Sequence, residues 1–212
     1  GRYMETDTAH ADFAFGTGAF TVECWVKFDA DDETRGIFSI SPDGNNDLAS
    51  SDAQKIGVLY DETYWRLWGG NASGGSYVDS KTYPVVKGQW YHVAYVRNSG
   101  KATLYVNGEF QGSINDTVNW STNNKVLIGA SHHTFYYYKG SISNFRVVKG
   151  TAVYTNSFIP PTEPLTNITN TKLLCCQNST NSGTTVVPSG VALSASTSNL
   201  VVTTDSPFDD PA

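Results

Sequence analysis

The dipeptide Asn107-Gly108, set between Leu104-Tyr105-Val106 and Glu109-Phe110, limits this chain more than any other short stretch. A two-residue hairpin turn asks both central residues for positive φ, which Asn and Gly tolerate, so two antiparallel strands are predicted here. The same pattern extends along residues 88–148. Trp90-Tyr91-His92-Val93-Ala94-Tyr95-Val96-Arg97, Val126-Leu127-Ile128 and Gly140-Ser141-Ile142-Ser143-Asn144-Phe145-Arg146-Val147 are β-branched and aromatic runs bounded by Gly, Asn or Asp. Such runs predict short strands joined by turns. Further strands are expected near residues 3–4, 20–28, 36–40, 55–60, 64–68, 101–106, 109–113 and 172–177, with almost no helical signal.

Composition fits this reading. A 212-residue chain with 39% hydrophobic, 13% aromatic and only 16% charged residues suits one large all-β domain spanning residues 1–212. The formal charge of −6 and the scattered Lys and Arg argue against a nucleic-acid surface. No apolar run approaches the roughly 18 residues that span a bilayer, so no membrane insertion is expected. Met4 is the sole methionine, and the chain is expected to be a domain excised from a larger protein.

The order of these blocks, from Phe20-Thr21-Val22-Glu23-Cys24-Trp25-Val26-Lys27 to Ser206-Pro207-Phe208, resembles the laminin-G-like branch of the concanavalin-A-like lectin and glucanase superfamily. That resemblance implies an antiparallel two-sheet jelly-roll sandwich. The stretch Phe145-Arg146-Val147-Val148-Lys149-Gly150-Thr151-Ala152-Val153-Tyr154, with Phe158-Ile159-Pro160-Pro161 and Leu173-Leu174-Cys175-Cys176-Gln177, is similar to laminin-G-like modules of tailed marine phage virion proteins. It implies a module at a virion surface or outside the cell, whose partners are host-surface glycans or another virion protein.

Three cysteines do not make a disulfide scaffold. Cys24 lies on the face shared by Phe20, Val22 and Val26 and reads as a small buried hydrophobe. Cys175 and Cys176, as strand neighbours, are expected to point to opposite faces and to remain free thiols, since a bridge between them would demand strained geometry. His92 reads as a hydrogen-bonded strand residue.

Catalysis finds no support. A retaining glycosidase needs two carboxyls about 5 Å apart, which in this superfamily sit on a strand reading Glu-x-Asp-x-x-Glu, and no such strand occurs. A G-x-S-x-G nucleophile turn and a phosphate-binding loop are also absent. Calcium is the better metal candidate: Asp43, Asn45 and Asp47 alternate oxygen ligands around Gly44, although the closing Glu of an EF-hand is missing. A turn rich in Asn and Asp explains the same residues without an ion. Many relatives carry Asp where this chain has Arg2 and Asn144, which weakens the family's usual ion site.

What remains is a recognition surface of aromatics and amides. Sugars stack their C–H faces on aromatic rings while amides and carboxylates take their hydroxyls. The candidate residues are Trp68, Asn71, Tyr77, Trp120, His132 and Tyr136. Trp68 and Trp120 each have a core reading beside the binding one. Within Tyr136-Tyr137-Tyr138, alternation sends the outer two to one face and Tyr137 to the other. The expectation is a non-catalytic carbohydrate-recognition and adhesion module, with a protein-docking module as the alternative.

Overall fold

Phe20, Val22, Cys24, Val26 and Phe28 alternate along one strand, and all five side chains are fully buried. That strand shows how the chain is layered. In this computed structural model, residues 3–30, 33–42, 55–70, 76–131, 136–178, 184–196 and 200–208 are described. In chain order the strands are β1 (Met4–Thr6), β2 (Phe20–Phe28), β3 (Arg35–Ser41), β4 (Lys55–Asp61), β5 (Tyr64–Gly70), β6 (Ser76–Asp79), β7 (Trp90–Asn98), β8 (Lys101–Val106), β9 (Glu109–Asn115), β10 (Lys125–Ile128), β11 (Gly140–Lys149), β12 (Thr171–Cys175) and β13 (Leu193–Ala195). One 3-10 turn covers Ala11–Phe13. The strands form a seven-stranded sheet in the order β13-β1-β10-β3-β4-β5-β6 and a six-stranded sheet in the order β12-β11-β2-β7-β8-β9. Every pairing between them is antiparallel. This is the expected all-β jelly-roll sandwich.

The inner faces of the two sheets meet in one apolar core. At one end Phe28 packs against Tyr60, Trp65 and Tyr138, with ring centroids 5.1, 5.6 and 5.1 Å away. Tilted and edge-on arrangements of this kind suit the aromatic quadrupole. Among the described residues no helix is long and apolar enough to cross a membrane.

The Asn107-Gly108 turn forms with φ of +50° and +76°. Gly108 has a second reason to be glycine, since an added Cβ would lie 1.9 Å from the Phe158 carbonyl oxygen. There the Phe158 N–H donates to the Gly108 carbonyl at 2.9 Å. The contact belongs to a strap, residues 150–170, that leaves β11, crosses the outer face of the six-stranded sheet to the β8–β9 turn and returns to β12. Thr21 anchors its start, donating to the Thr151 carbonyl and accepting from Val153 N–H. Asn144 anchors its return by accepting the Leu165 N–H at 2.8 Å. The strap covers Thr21 and Glu23, and Phe208 packs edge-on against Trp25, so β2 is buried on both faces.

Several expectations need correction. The strands β6 and β13 do not show in the sequence, because both are largely exposed and, at four and three residues, too short for a periodic pattern to mark them. β12 ends at Cys175, before Gln177, because Cys176 turns to φ +59°. The same turn brings the two cysteine Sγ atoms to 3.7 Å, so these side chains do not point to opposite faces. The three tyrosines do not alternate as a strand either: Tyr136 has φ +55°, Tyr137 stacks on Tyr3, and Tyr138 enters the core.

Candidate functional site

Along β5, Trp65 and Leu67 point inward and are fully buried, so alternation places Tyr64, Arg66 and Trp68 on the outer face of the seven-stranded sheet. β6 supplies the facing residues. Arg66 pairs with Asp79 and Trp68 with Tyr77 in the register. The Trp68 and Tyr77 rings lie parallel, 4° apart in plane and 5.5 Å between centroids. Trp68 is half-buried while Tyr77 is 52% exposed, so the pair offers a supported aromatic surface at the sheet edge.

Polar groups flank this surface in one connected chain. Arg66 donates to both Asp79 carboxylate oxygens, Nε at 2.6 Å and Nη2 at 3.0 Å, and its guanidinium lies over the Tyr77 ring at 4.5 Å. Arg66 Nη2 also donates to the Tyr64 hydroxyl, which in turn donates to Asp61 Oδ2. Thr34 Oγ1 donates to Asp61 Oδ1 at 2.7 Å. The hydrogen bonds to Asp79 raise the Arg66 pKa further above its usual value, and the bond to Asp61 raises that of the Tyr64 hydroxyl. A bidentate arginine–carboxylate pair fixes geometry better than a lysine could.

Thr34 continues this chain into a concavity of about 490 Å³ lined by Glu33, Thr34, Arg35, Glu62, Tyr136, Tyr137 and Lys139. Arg35 contacts Glu33 at 2.5 Å and Lys139 lies 3.9 Å from the same carboxylate. The aromatic pair and the concavity thus lie at the two ends of one polar strip.

Of the residues expected from the sequence, the structure brings Trp68 and Tyr77 together and sets Tyr136 at the far end of the strip. Trp120 does not belong to it. It is 1% exposed, and its indole N–H donates to both Asp116 oxygens at 3.1 Å. Arg97, itself buried, lies 3.3 Å from Asp116 and donates to the Gly16 and Val118 carbonyls, drawing this loop inward. Trp120 is therefore a core residue, and its ring faces are closed to a ligand. Asn71, His132, Asp43, Asn45 and Asp47 lie outside the described residues. Among the described residues no group of three His, Cys, Asp or Glu is placed to hold a metal ion. Tyr64, Arg66 and Asp79 were not expected, although alternation through Tyr64-Trp65-Arg66-Leu67-Trp68 puts the first two on the face of Trp68.

A second polar cluster lies on the outer face of the six-stranded sheet. Glu23 Oε1 accepts from Arg146 Nε and Nη2 at 3.0 and 2.6 Å, and Oε2 accepts from His92 Nε2 at 3.1 Å and the Tyr154 hydroxyl at 2.7 Å. Phe158 stacks on Tyr154 with centroids 3.6 Å apart, and both close over His92. Burial alone would raise the Glu23 pKa, but the donors from His92, Arg146 and Tyr154 outweigh it and hold the carboxyl below its ordinary value. His92 is thus the hydrogen-bonded strand residue that the sequence suggested. Glu23 and His92 have no exposed side-chain surface, so this cluster holds the strap and offers nothing to a ligand.

Two antiparallel sheets packed as a jelly roll, with a polar-aromatic strip outside, define a concanavalin-A-like sandwich. The chain belongs to the concanavalin A-like lectin/glucanases superfamily, whose laminin-G-type family model matches residues 2–152. No curated protein sequence matches it significantly. Among solved structures it is similar to a heptameric SAP-like pentraxin from Limulus polyphemus, at 18% identity and a TM-score of 0.55, covering 91% of this chain and 88% of that one. It is also similar to the IT-sialidase CBM40 of Ruminococcus gnavus bound to α2,3-sialyllactose, at 14% identity and a TM-score of 0.52, covering 66% and 79%. A third likeness is to domain 4 of an extracellular arabinanase from Geobacillus stearothermophilus in complex with arabinotriose, at 21% identity and a TM-score of 0.50, covering 67% and 65%. At these identities the likeness is one of fold.

Proposed function

We propose that this chain is a non-catalytic carbohydrate-recognition and adhesion module that binds glycans through the outer strip of β5 and β6. The observation that carries the reading is the parallel Trp68–Tyr77 pair, exposed at Tyr77 and flanked by the Arg66–Asp79 bidentate contact. A pyranose ring stacks on such a surface, with its hydroxyls taken by Asp79, Tyr64 and Asp61. Two of the similar folds, the sialidase module and the arabinanase domain, are sugar complexes. The similarity of residues 145–177 to phage modules supports display on a virion and contact with host-surface glycans. Calcium held by Asp43, Asn45 and Asp47 is part of the proposal.

The rival reading is protein docking within a virion or bacterial surface array. It is favoured by Phe110 and Ile159, which are 57% and 87% exposed and flank in sequence the Gly108–Phe158 contact.

A glycan array that includes marine bacterial lipopolysaccharides, run with calcium and again with chelator, tests the proposal. Saturable binding that Tyr77→Ala and Trp68→Ala each abolish is the expected result, and loss in chelator supports the calcium loop. Binding that survives both substitutions removes this site. Silence of the folded protein in both conditions favours docking.

A further inference from the structure

At the end of β12 the backbone departs from what a strand requires. Adjacent strand residues send their side chains to opposite faces, yet Cys176 adopts φ +59°, a conformation that L-residues other than Asn and Asp rarely take. The result is a 3.7 Å approach of the Cys175 and Cys176 Sγ atoms. The turn is held from β11 and beyond: Asn144 N–H and Ser143 Oγ donate to the Cys176 carbonyl at 2.8 and 3.3 Å, and the Gln177 side-chain amide donates to the Leu165 carbonyl. Cys175 is buried, whereas Cys176 is half-buried.

Cys24, the third thiol, is not a suitable partner for a bridge. β11 separates its strand from β12. Two strand spacings make about 10 Å, beyond the roughly 7 Å between Cα atoms that a disulfide can span.

We propose that Cys175 and Cys176 form a redox-active dithiol that closes reversibly to a vicinal disulfide by exchange with a small-molecule disulfide such as oxidised glutathione. The Cys176 thiolate attacks one sulfur of the oxidant and expels one glutathione thiolate, leaving a mixed disulfide. Cys175 then loses its proton to solvent, attacks the Cys176 sulfur and expels the second glutathione. The protein gives up two protons and two electrons and gains one S–S bond, while the oxidant's S–S bond is broken and its two halves are reduced. The interaction with the Cys176 sulfur, together with burial, keeps the Cys175 thiol well above its ordinary pKa, and the partial exposure of Cys176 makes it the point of entry. Adjacent Cα atoms stand about 3.8 Å apart, short of the roughly 4.4–6.8 Å usual for disulfides, so the bridge is strained and readily reopened.

The test uses the full chain, reduced and then equilibrated in glutathione buffers of graded thiol-to-disulfide ratio, acid-quenched, alkylated in denaturant and weighed. The expected product is lighter by two hydrogens and takes one alkyl group where the reduced protein, with three free cysteines, takes three. Peptide mapping puts the bridge between Cys175 and Cys176, and dithiothreitol restores all of the thiols. Cys24→Ser keeps this behaviour and Cys176→Ser abolishes it. Full alkylation at every ratio, a bridge to Cys24, or a glutathione adduct that never resolves would each overturn the proposal.

Discussion

On the outer face of the six-stranded sheet, Arg146 donates twice to Glu23 and the Tyr154 hydroxyl donates to the same carboxylate. On the outer face of the seven-stranded sheet, Arg66 donates twice to Asp79 and once to the Tyr64 hydroxyl, which donates to Asp61. The residue types nearly repeat, yet their surroundings differ. Side-chain exposure is 6% and 0% for Arg146 and Glu23, against 22% and 32% for Arg66 and Asp79. Under the strap each charge depends on its partner, because water cannot replace it. On the open face water competes, which leaves the same groups free to exchange partners with a ligand. The contrast teaches that coverage by residues 150–170, rather than residue type, assigns one network to stability and the other to recognition.

Matched substitutions put this contrast at risk, and the largest effect is expected at the buried arginine. Arg146→Met strands a buried carboxylate and should cost about 3–5 kcal/mol in denaturant unfolding, whereas Arg66→Met should cost less than about 1 kcal/mol. Equal losses would break the comparison. Next come the tyrosines. Tyr154→Phe deletes a hydrogen bond to a buried charge and should cost about 1.5–3 kcal/mol, while Tyr64→Phe should lower stability far less and weaken glycan binding.

The pH limb sharpens the same point. The folded Glu23 pKa lies below its ordinary value of 4.5, so its contribution is fully present above pH 4.5 and is lost as pH falls through the folded value. The stability gap between the unmodified chain and Glu23→Gln should therefore shrink below pH 4.5 in unfolding midpoints, and a constant gap would refute the assignment. Asp116, raised above 3.8 chiefly by burial, contributes the opposite slope, which is why the variant is the proper reference. The smallest stability effect is expected for Tyr77→Ala, whose unfolding midpoint should hardly move even as glycan binding disappears.

How much of this could be seen in the chain itself follows from where the information lies. β2 and β7 are legible because alternation or a continuous β-branched and aromatic run marks them, and the Asn107-Gly108 turn because its φ demand is local. β6 is not, since Ser76-Tyr77-Val78-Asp79 gains its strand form from pairing with β5. Tyr77 and Trp68 were legible as aromatics but not as partners. Glu23 would be assigned to solvent by strand alternation, and its burial depends on Arg146 and Tyr154, which stand 123 and 131 positions away in sequence. Trp120 escapes for the same reason, because Arg97 and Asp116 decide its burial.

The out-and-back strap also bears on where this module can be cut. The family match ends at residue 152, short of Tyr154, of Phe158 on Gly108, and of the Thr166 carbonyl that accepts from Arg146 Nη1 at 2.8 Å. A fragment trimmed to that boundary would expose to water a carboxylate that the intact chain keeps dry, along with the aromatic rings beneath it. For expression or grafting, the usable edge of the domain lies beyond the return of the strap, set by the charge it covers rather than by where likeness to relatives fades.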